Sequence, residues 1–399
     1  MLTTFSTVAQ LQVFTVNVNT NDLVYDSVTN KIYASLPSSN GTNGNSIGII
    51  SPITYTLENT AFIGSEPTVL AISDNGQYIY SGFAGSSTVR RFDVATQTAG
   101  IQFGLGSDNT TGPNYAEDIE VMPGFPQTIA VARKNNGFSP RHEGVAIYDD
   151  NVQRPTTTPD HTGSNRIEFT GPNSLVGYNN ETTEFGIRKL SVTASGVTNT
   201  SVTQNVMQNF YLDFSYHNNR MYSFDGKVVD VSGVPYLAGQ FTGATGPSVY
   251  DTYYNQVAFA SYSGSVITFK RYNPETFLLA NSLAITQATG PVKSIITCGN
   301  GCYALNTANK VVIIKDSTLS TPGADSNAIA VAPNPTTGWL QVSGIANIAA
   351  SEIHDLNGRV VMRSGSGEQV NVEGLESGLY VIRVSDEAGN VLVSKFVKK

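Results

Sequence analysis

The feature that most narrows the folding options of this chain is a hairpin unit that recurs seven times. Each copy reads as an apolar alternating strand, a turn of Asp, Asn, Gly or Pro, and a second strand that often carries Tyr. The copies are Leu23–Tyr33, Val69–Tyr80, Ile119–Ala130, Ile167–Val176, Leu212–Tyr222, Ser248–Ala258 and Ser294–Tyr303, with ends 36 to 50 residues apart. Near-constant repeats of that length in an all-β pattern predict a seven-bladed β-propeller. A third alternating strand follows the hairpin, as in Thr88–Val94, Gly144–Tyr148, Ser265–Tyr272 and Lys310–Lys315. A more polar fourth strand then leads to a Gly/Pro loop such as Gly64–Pro67, Thr245–Pro247 or Thr289–Pro291. A single sheet of this kind leaves both faces apolar, so it needs a neighbour on each side and a closed ring. The seventh unit has no fourth strand of its own, whereas Leu11–Val18 alternates alone before the first. That strand is expected to close the last blade.

Composition agrees with strands and turns. The 399 residues suit two or three domains. Only 14% are charged, against roughly 25% in an average domain, while Gly (37), Tyr (19) and Phe (18) are plentiful. A helical bundle and a doubly wound nucleotide-binding fold fit poorly. The net charge of −8, without a basic stripe, argues against nucleic acid as a partner. No run of about 18 apolar residues exists, so no transmembrane segment is expected. Met1–Gln10 has neither the basic nor the apolar region of a signal peptide, which leaves a cytosolic protein or one whose leader has been removed. Cys298 and Cys302 flank Gly299-Asn300-Gly301. If that tripeptide turns a hairpin, the thiols face each other within reach of a disulfide. Free thiols are the alternative; a redox or metal pair needs further ligands, and none stands nearby.

In Gly64-Ser-Glu-Pro67, in Ile72-Ser-Asp-Asn-Gly-Gln-Tyr-Ile-Tyr80 and in Val89-Arg-Arg-Phe-Asp-Val94 with Gln97 beyond it, the repeat resembles the seven-bladed propellers of the YVTN and lactonase-like group. The likeness covers residues 1–318 and is sharp in the second unit. It implies a fold that hosts binders, hydrolases and scaffolds alike.

Residues 319–328 read as a linker, and residues 329–399 break the repeat. The segments Val331–Val342, Glu352–Met362, Val370–Val384 and Asn390–Lys399 alternate and are joined by Asn-Gly and Ser-Gly turns, which predicts a small Ig-like β-sandwich. Four blocks carry a second resemblance: Pro333-Asn334-Pro335 through Gly338, Asp355 through Gly358 and Arg359, Gly378 with Tyr380, and Lys395 through Lys398. Together they are similar to the type A C-terminal sorting domain of the Bacteroidetes type IX secretion system. The resemblance implies passage through the periplasm, docking on outer-membrane secretion machinery, and a secreted or surface-attached product. It also implies a signal peptide, lost from the mature chain.

Motifs for chemistry are sparse. Four histidines limit metal and acid–base options, and His142 and His161 read as polar loop residues. Ser73-Asp-Asn-Gly76 lacks the spacing of a sialidase Asp-box and reads as a turn with positive φ at Gly76. No serine elbow or phosphate-binding glycine loop appears. Propeller ligands usually meet the loops at one end of the ring. The candidate ligand-binding residues there are Asp22, Glu66, Glu117, Asp118, Arg166, Asp213, Asp251 and Lys293, each of which reads equally as a solvated rim charge. Glu117 and Asp118 could bind Ca²⁺ or act as acid and base, although neighbours on a strand point to opposite faces. No other cofactor and no catalytic residue is expected. Phe210, Tyr211, Tyr216, Tyr250, Tyr253, Tyr254 and Tyr262 either pack between blades or form a platform for sugar or peptide. Asp26-Ser-Val28 and Asp316-Ser-Thr318 fit the short O-glycosylation triplet of Bacteroidetes by the same resemblance.

Three readings of function follow. The first is a surface or secreted propeller that binds a glycan or a protein, as an adhesin does. The second is an enzyme of the polysaccharide lyase, hydrolase or lactonase-like kind. The third is a structural part of a larger surface assembly. Polar side chains converging at the mouth of the ring would keep the enzyme in play.

Overall fold

The computed structural model describes residues 10–317, 329–345, 347–355, 359–387 and 391–399. The start of the chain, the expected linker 319–328 and Gly358 of the sorting motif lie outside the described residues. The chain divides into two units, Met1–Ser317 and Thr318–Lys399.

In the first unit, antiparallel four-stranded sheets follow one another along the chain. Sheet A holds Leu23–Asp26, Lys31–Leu36, Ser46–Ser51 and Thr56–Phe62; sheet B holds Pro67–Ile72, Tyr78–Phe83, Thr88–Asp93 and Thr98–Gly104. Sheet C holds Tyr115–Val121, Thr128–Lys134, His142–Asp149 and Val152–Gln153; sheet D holds Arg166–Gly171, Ser174–Tyr178, Ile187–Thr193 and Gly196–Thr203. Sheet E holds Phe214–His217, Arg220–Ser223, Lys227–Asp230 and Tyr236–Gln240; sheet F holds Ser248–Asp251, Gln256–Ser263, Val266–Tyr272 and Leu279–Ile285. Sheet G holds Ser294–Thr297, Cys302–Asn306 and Val311–Ser317, and its fourth strand is Gln10–Val16 from the start of the unit. That strand runs antiparallel to Val311–Ser317, with Val13 opposite Ile314 and Phe14 opposite Ile313.

The first strands of sheets A to G pack side by side in that order, and the first strand of G packs against that of A. The sheet faces bury their alternating apolar residues against the neighbouring sheet. Tyr80 and Val89 of B share a cluster with Ile119, Val131 and Tyr148 of C. Phe269 of F meets Tyr303 and Val312 of G, and Ile32 and Ile50 of A meet Ala304 and Ile313 of G. Each fully buried side chain of this size contributes about 1.5–3 kcal/mol, so the hydrophobic stabilisation lies between sheets more than within them.

Hairpin turns repeat one local device. The side chain at the first turn position accepts the N–H groups two and three residues on, and the residue four positions on takes positive φ. Asp26 accepts from Val28 (3.0 Å) and Thr29 (3.1 Å), and Asn30 closes the turn with φ 53°. Asp251 with Asn255, Asn273 with Phe277 and Ser51 with Tyr55 follow the same plan. These residues therefore suit the turn chemically: the short polar side chain mimics a backbone acceptor, and Asn tolerates the left-handed region. Gly76 has φ 67°, and a Cβ there would lie 2.3 Å from the Asp26 carboxylate in the neighbouring sheet. The Gly299-Asn-Gly turn joins two strands of sheet G. It brings the Cys298 and Cys302 Cα atoms to 4.9 Å, and the sulfurs are bonded.

The second unit has a three-stranded sheet (Ala330–Ala332, Trp339–Ser343, Gln369–Asn371) and a four-stranded sheet (Val360–Ser364, Ile348–His354, Gly378–Asp386, Val391–Lys398). Leu340, Val342 and Val370 of one share a core with Ile353, Ile382, Val384 and Phe396 of the other.

Candidate ligand-binding site among the first strands

Three sheets place an aspartate directly before a buried apolar residue of their first strand: Asp22-Leu23, Asp118-Ile119 and Asp213-Phe214. One carboxylate oxygen accepts the N–H of the next residue, from Leu23 at 2.8 Å, Ile119 at 3.1 Å and Phe214 at 2.8 Å. The other oxygen reaches the next sheet, accepting from Leu70 N–H at 2.9 Å for Asp22 and from Ile167 N–H at 2.9 Å for Asp118. Sheet D carries Arg166 at the same place. Its Nε lies 3.1 Å from Asp213, and its Nη1 donates to the Glu117 carbonyl at 3.0 Å. The first strands have unpaired backbone edges, and these side chains satisfy them.

Strand periodicity adds two residues that sequence reasoning missed. Glu120 lies two positions beyond Asp118 and Glu168 two beyond Arg166, so each shares a face with its predecessor. Burial and then the Glu168 charge, followed by Asp118, Asp22 and Asp213, hold the Glu120 carboxyl well above the ordinary range. Burial, then Asp118 and Asp213, do the same to Glu168, against one hydrogen bond from the Tyr216 backbone. Burial raises Asp22 to about 6 despite its two backbone donors. It raises Asp118 as well, against the pull of Arg166. Burial works against the Arg166 cation, but Asp213, Asp118, Glu117 and Asp22 outweigh it and lift its pKa. Carboxylates from sheets A, C, D and E thus act on one another, and those of A, C and E act on one half-buried guanidinium. The signal for the missed pair was present as the alternation Asp118/Glu120 and Arg166/Glu168.

The other sequence candidates divide. Lys293 joins the group: its Nζ donates to the Thr20 carbonyl at 2.8 Å, and burial lowers its pKa against the attraction of Asp22. Glu117 lies at a bulge, where the register with Thr128–Lys134 slips between Ala116 and Asp118. Its carboxylate and that of Asp118 take separate partners. Glu117 is 9% exposed and accepts from the Asn165 amide at 3.2 Å. Glu66 stays apart from the cluster: it accepts from Ser38 N–H at 3.3 Å, and its own N–H donates to Asn45. Asp251 sits at the far end of its strand, where it caps a turn and accepts from the Tyr303 hydroxyl. Among the described residues no group of three or more His, Cys, Asp or Glu is arranged to hold a metal ion.

His142 departs from the expectation of a polar loop residue. It opens the strand His142–Asp149 and is 1% exposed, with neither ring nitrogen hydrogen-bonded among the described residues. Burial, with Arg188 and Arg133 nearby, lowers its pKa to about 3, so the ring stays neutral. Around it, the loops of sheets C and D carry a buried amide network. Asn165 donates to Glu117 and to Glu181 (3.3 Å), Asn135 donates to Glu143 (2.8 Å), and Asn179 donates to Glu184 (2.8 Å). The aromatics also divide. Tyr250 stacks on His217 at 3.8 Å, whereas Phe210 and Tyr211 are 50% and 83% exposed.

In the second unit the Pro333-Asn-Pro and Gly378–Tyr380 blocks meet the last strand. The Asn334 side chain donates to the Lys395 carbonyl (3.0 Å) and accepts from Val397 N–H (2.9 Å). Thr336 N–H donates to the Val397 carbonyl, so Pro333–Thr336 covers the strand's outer edge. Gly338 accepts from Val372 N–H, and Gly378 pairs with Lys398. Tyr380 lies opposite Phe396, and Arg359 is bound to Asp355 at 3.1 Å.

Residues 330–399 match the family described as "Secretion system C-terminal sorting domain". The chain is similar to the β-propeller domain of Myceliophteria thermophila Cps50 (Swd1), at 12% identity and TM-score 0.58, over 76% of this chain and 98% of that one. It is similar also to Kuenenia stuttgartiensis hydrazine synthase, at 11% identity and TM-score 0.56, over 79% and 99%. At these identities the likeness shows the fold alone: the first unit is a β-propeller. No curated protein matches the chain. The sorting domain implies export to the cell surface or the medium and contact with secretion machinery. Among the described residues no helix is long and apolar enough to cross a membrane.

Proposed function

We propose that this chain is a surface or secreted binding protein of the adhesin kind. In this reading a seven-bladed propeller of YVTN or lactonase-like type recognises a glycan or protein partner through the loop end that holds Asp22, Asp118, Arg166 and Asp213. The type IX machinery of a Bacteroidetes cell then exports it by an Ig-like C-terminal sandwich. The sorting-domain match at residues 330–399 carries the export half. The contact of the first strand of sheet G with that of sheet A supports a closed ring of seven blades. In a cell that has the machinery, deletion of residues 325–399 should strand the protein in the periplasm. Export undiminished by that deletion would refute the address. Glycan and protein arrays probed with the full chain test the binding half.

A second reading is kept by one observation. Glu120 and Glu168 stand beside each other with raised pKa values, a setting that suits a carboxylic acid and its conjugate base. A lyase, hydrolase or lactonase-like activity through this pair would be abolished by Glu120→Gln or Glu168→Gln. The binding reading fits better because Asp22, Asp118 and Asp213 spend their oxygens on backbone N–H groups and Arg166, which is architectural work.

A further inference from the structure

Among the described residues four bulky aromatics hold positive φ, and three are compensated by close ring contacts. Tyr55 (φ 59°) stacks on Phe14 at 3.6 Å, Phe277 (φ 58°) meets Phe241 at 5.6 Å, and Phe185 (φ 45°) meets Phe210 edge-on at 4.8 Å. Tyr211 (φ 57°) lies 6.4 Å from Phe210 and remains 83% exposed. A left-handed backbone is unfavourable for such a residue, and neither burial nor a tight ring contact offsets it here.

The backbone holding this ring is fastened. Tyr211 N–H donates to the Asn180 carbonyl (2.9 Å), and the Asn180 amide donates to the Leu212 carbonyl (2.9 Å). On the other side, Asn209 donates to Asp225 (2.8 Å), and its carbonyl accepts from the Tyr178 hydroxyl (3.1 Å). The platform Phe185–Phe210–Tyr211 is therefore set in place before any partner arrives, which lowers the ordering cost of binding.

Charge adjoins it. Asn180 N–H donates to Asn165, and the Asn165 amide nitrogen lies within 3.3 Å of a carboxylate oxygen of both Glu117 and Glu181. Glu117 is buried and lies in the fields of Arg166 and Lys134; Glu181 is only partly buried and forms no ion pair among the described residues, whereas Glu184 nearby is bound to Arg188 at 2.7 Å. Arg166 is occupied by Asp213, and the Arg141 backbone N–H donates to Glu181 at 2.9 Å. A carboxylate without an ion-pair partner beside exposed π faces attracts a cation by both routes. A neutral sugar would use the rings and leave the Glu181 carboxylate unneutralised.

We propose that the loop face formed by Phe185, Phe210, Tyr211 and Glu181 binds lysine or arginine side chains of a partner polypeptide. This deepens the binding reading above and rests on it. The test uses the purified full chain with hexalysine, with a Gly-Ser hexapeptide and with a neutral hexasaccharide as probes, read by calorimetry. Hexalysine should bind, and the Gly-Ser peptide should not. Tyr211→Asn, which tolerates the same φ, and Glu181→Gln should each weaken hexalysine about tenfold, equivalent to about 1.4 kcal/mol. Glu368→Gln in the other unit removes the same charge and should leave affinity unchanged. Equal weakening by Glu368→Gln, or none by Tyr211→Asn and Glu181→Gln, overturns the proposal. Hexasaccharide binding that Tyr211→Asn abolishes and Glu181→Gln spares would overturn the cationic ligand while the loop face stands. Insensitivity of every probe to both variants would overturn the loop face as well.

Discussion

Replacing Glu120 by Gln isolates the electrostatic cost of crowding carboxylates between the first strands. In the folded protein, burial and the charges of Glu168, Asp118, Asp22 and Asp213 raise the Glu120 pKa well above 4.5. A carboxyl with a raised folded pKa contributes full stability below its unfolded value, and that contribution disappears as pH climbs through the folded one. Asp22 in the same cluster sets the scale: its rise from 3.8 to about 6 corresponds to about 3 kcal/mol at 1.36 kcal/mol per pH unit, before screening by solvent. Glu120 is only partly buried, so solvent screening brings the expected effect down to about 1–2 kcal/mol. Gln fills the same space and never ionises. Glu120→Gln should therefore match the parent near pH 4.5 and exceed it by about 1–2 kcal/mol at pH 8, measured by urea denaturation followed by fluorescence. A difference that is the same at both pH values, or a variant less stable at pH 8, would refute the electrostatic account. Glu168→Gln should behave alike, and the double variant should gain less than the sum, because removing one charge already relieves the other.

Four further outcomes follow from local geometry. Gly76→Ala should cost about 1–3 kcal/mol in chemical denaturation, since φ is 67° and the new Cβ would press on the Asp26 carboxylate at 2.3 Å. Opening the Cys298–Cys302 bridge with reductant, or replacing both cysteines by Ser, should cost about 2 kcal/mol, because the bridge closes a short loop. Asn334→Ala should free the Lys395–Val397 edge, seen as faster amide exchange at Val397 and a loss of about 1–3 kcal/mol from the second unit. Removing Gln10–Val16 should expose Ile313 and the edge of Val311–Ser317, read as aggregation in light scattering.

Local rules made much of this architecture legible. The period-2 alternation, the Asp and Asn turn residues and the recurrence of the hairpin reveal strands, turns and repeated sheets, because each reflects interactions among residues close in sequence. Gly76 is an example: a Ser-Asp-Asn-Gly turn calls for positive φ wherever it occurs. The same logic served the tail, whose Pro-Asn-Pro, Gly-Leu-Tyr and Lys-Phe-Val-Lys blocks are short and ordered along the chain.

What tertiary structure alone decided is how distant residues share space. Nothing in Asp118-Ile-Glu120 or Arg166-Ile-Glu168 announces that carboxylates from sheets A, C and E crowd one guanidinium, because that depends on the packing of first strands far apart in sequence. His142 looked polar and local, yet the loops of sheets C and D bury it without a hydrogen-bonding partner among the described residues. Asp251 belonged by composition with the rim charges, and its position on the strand sent it to the opposite end. Sequence thus determined which segments are strands and turns, since backbone preference and alternation act locally. Burial and charge coupling depend on three-dimensional neighbours, and only the assembled sheets supply those.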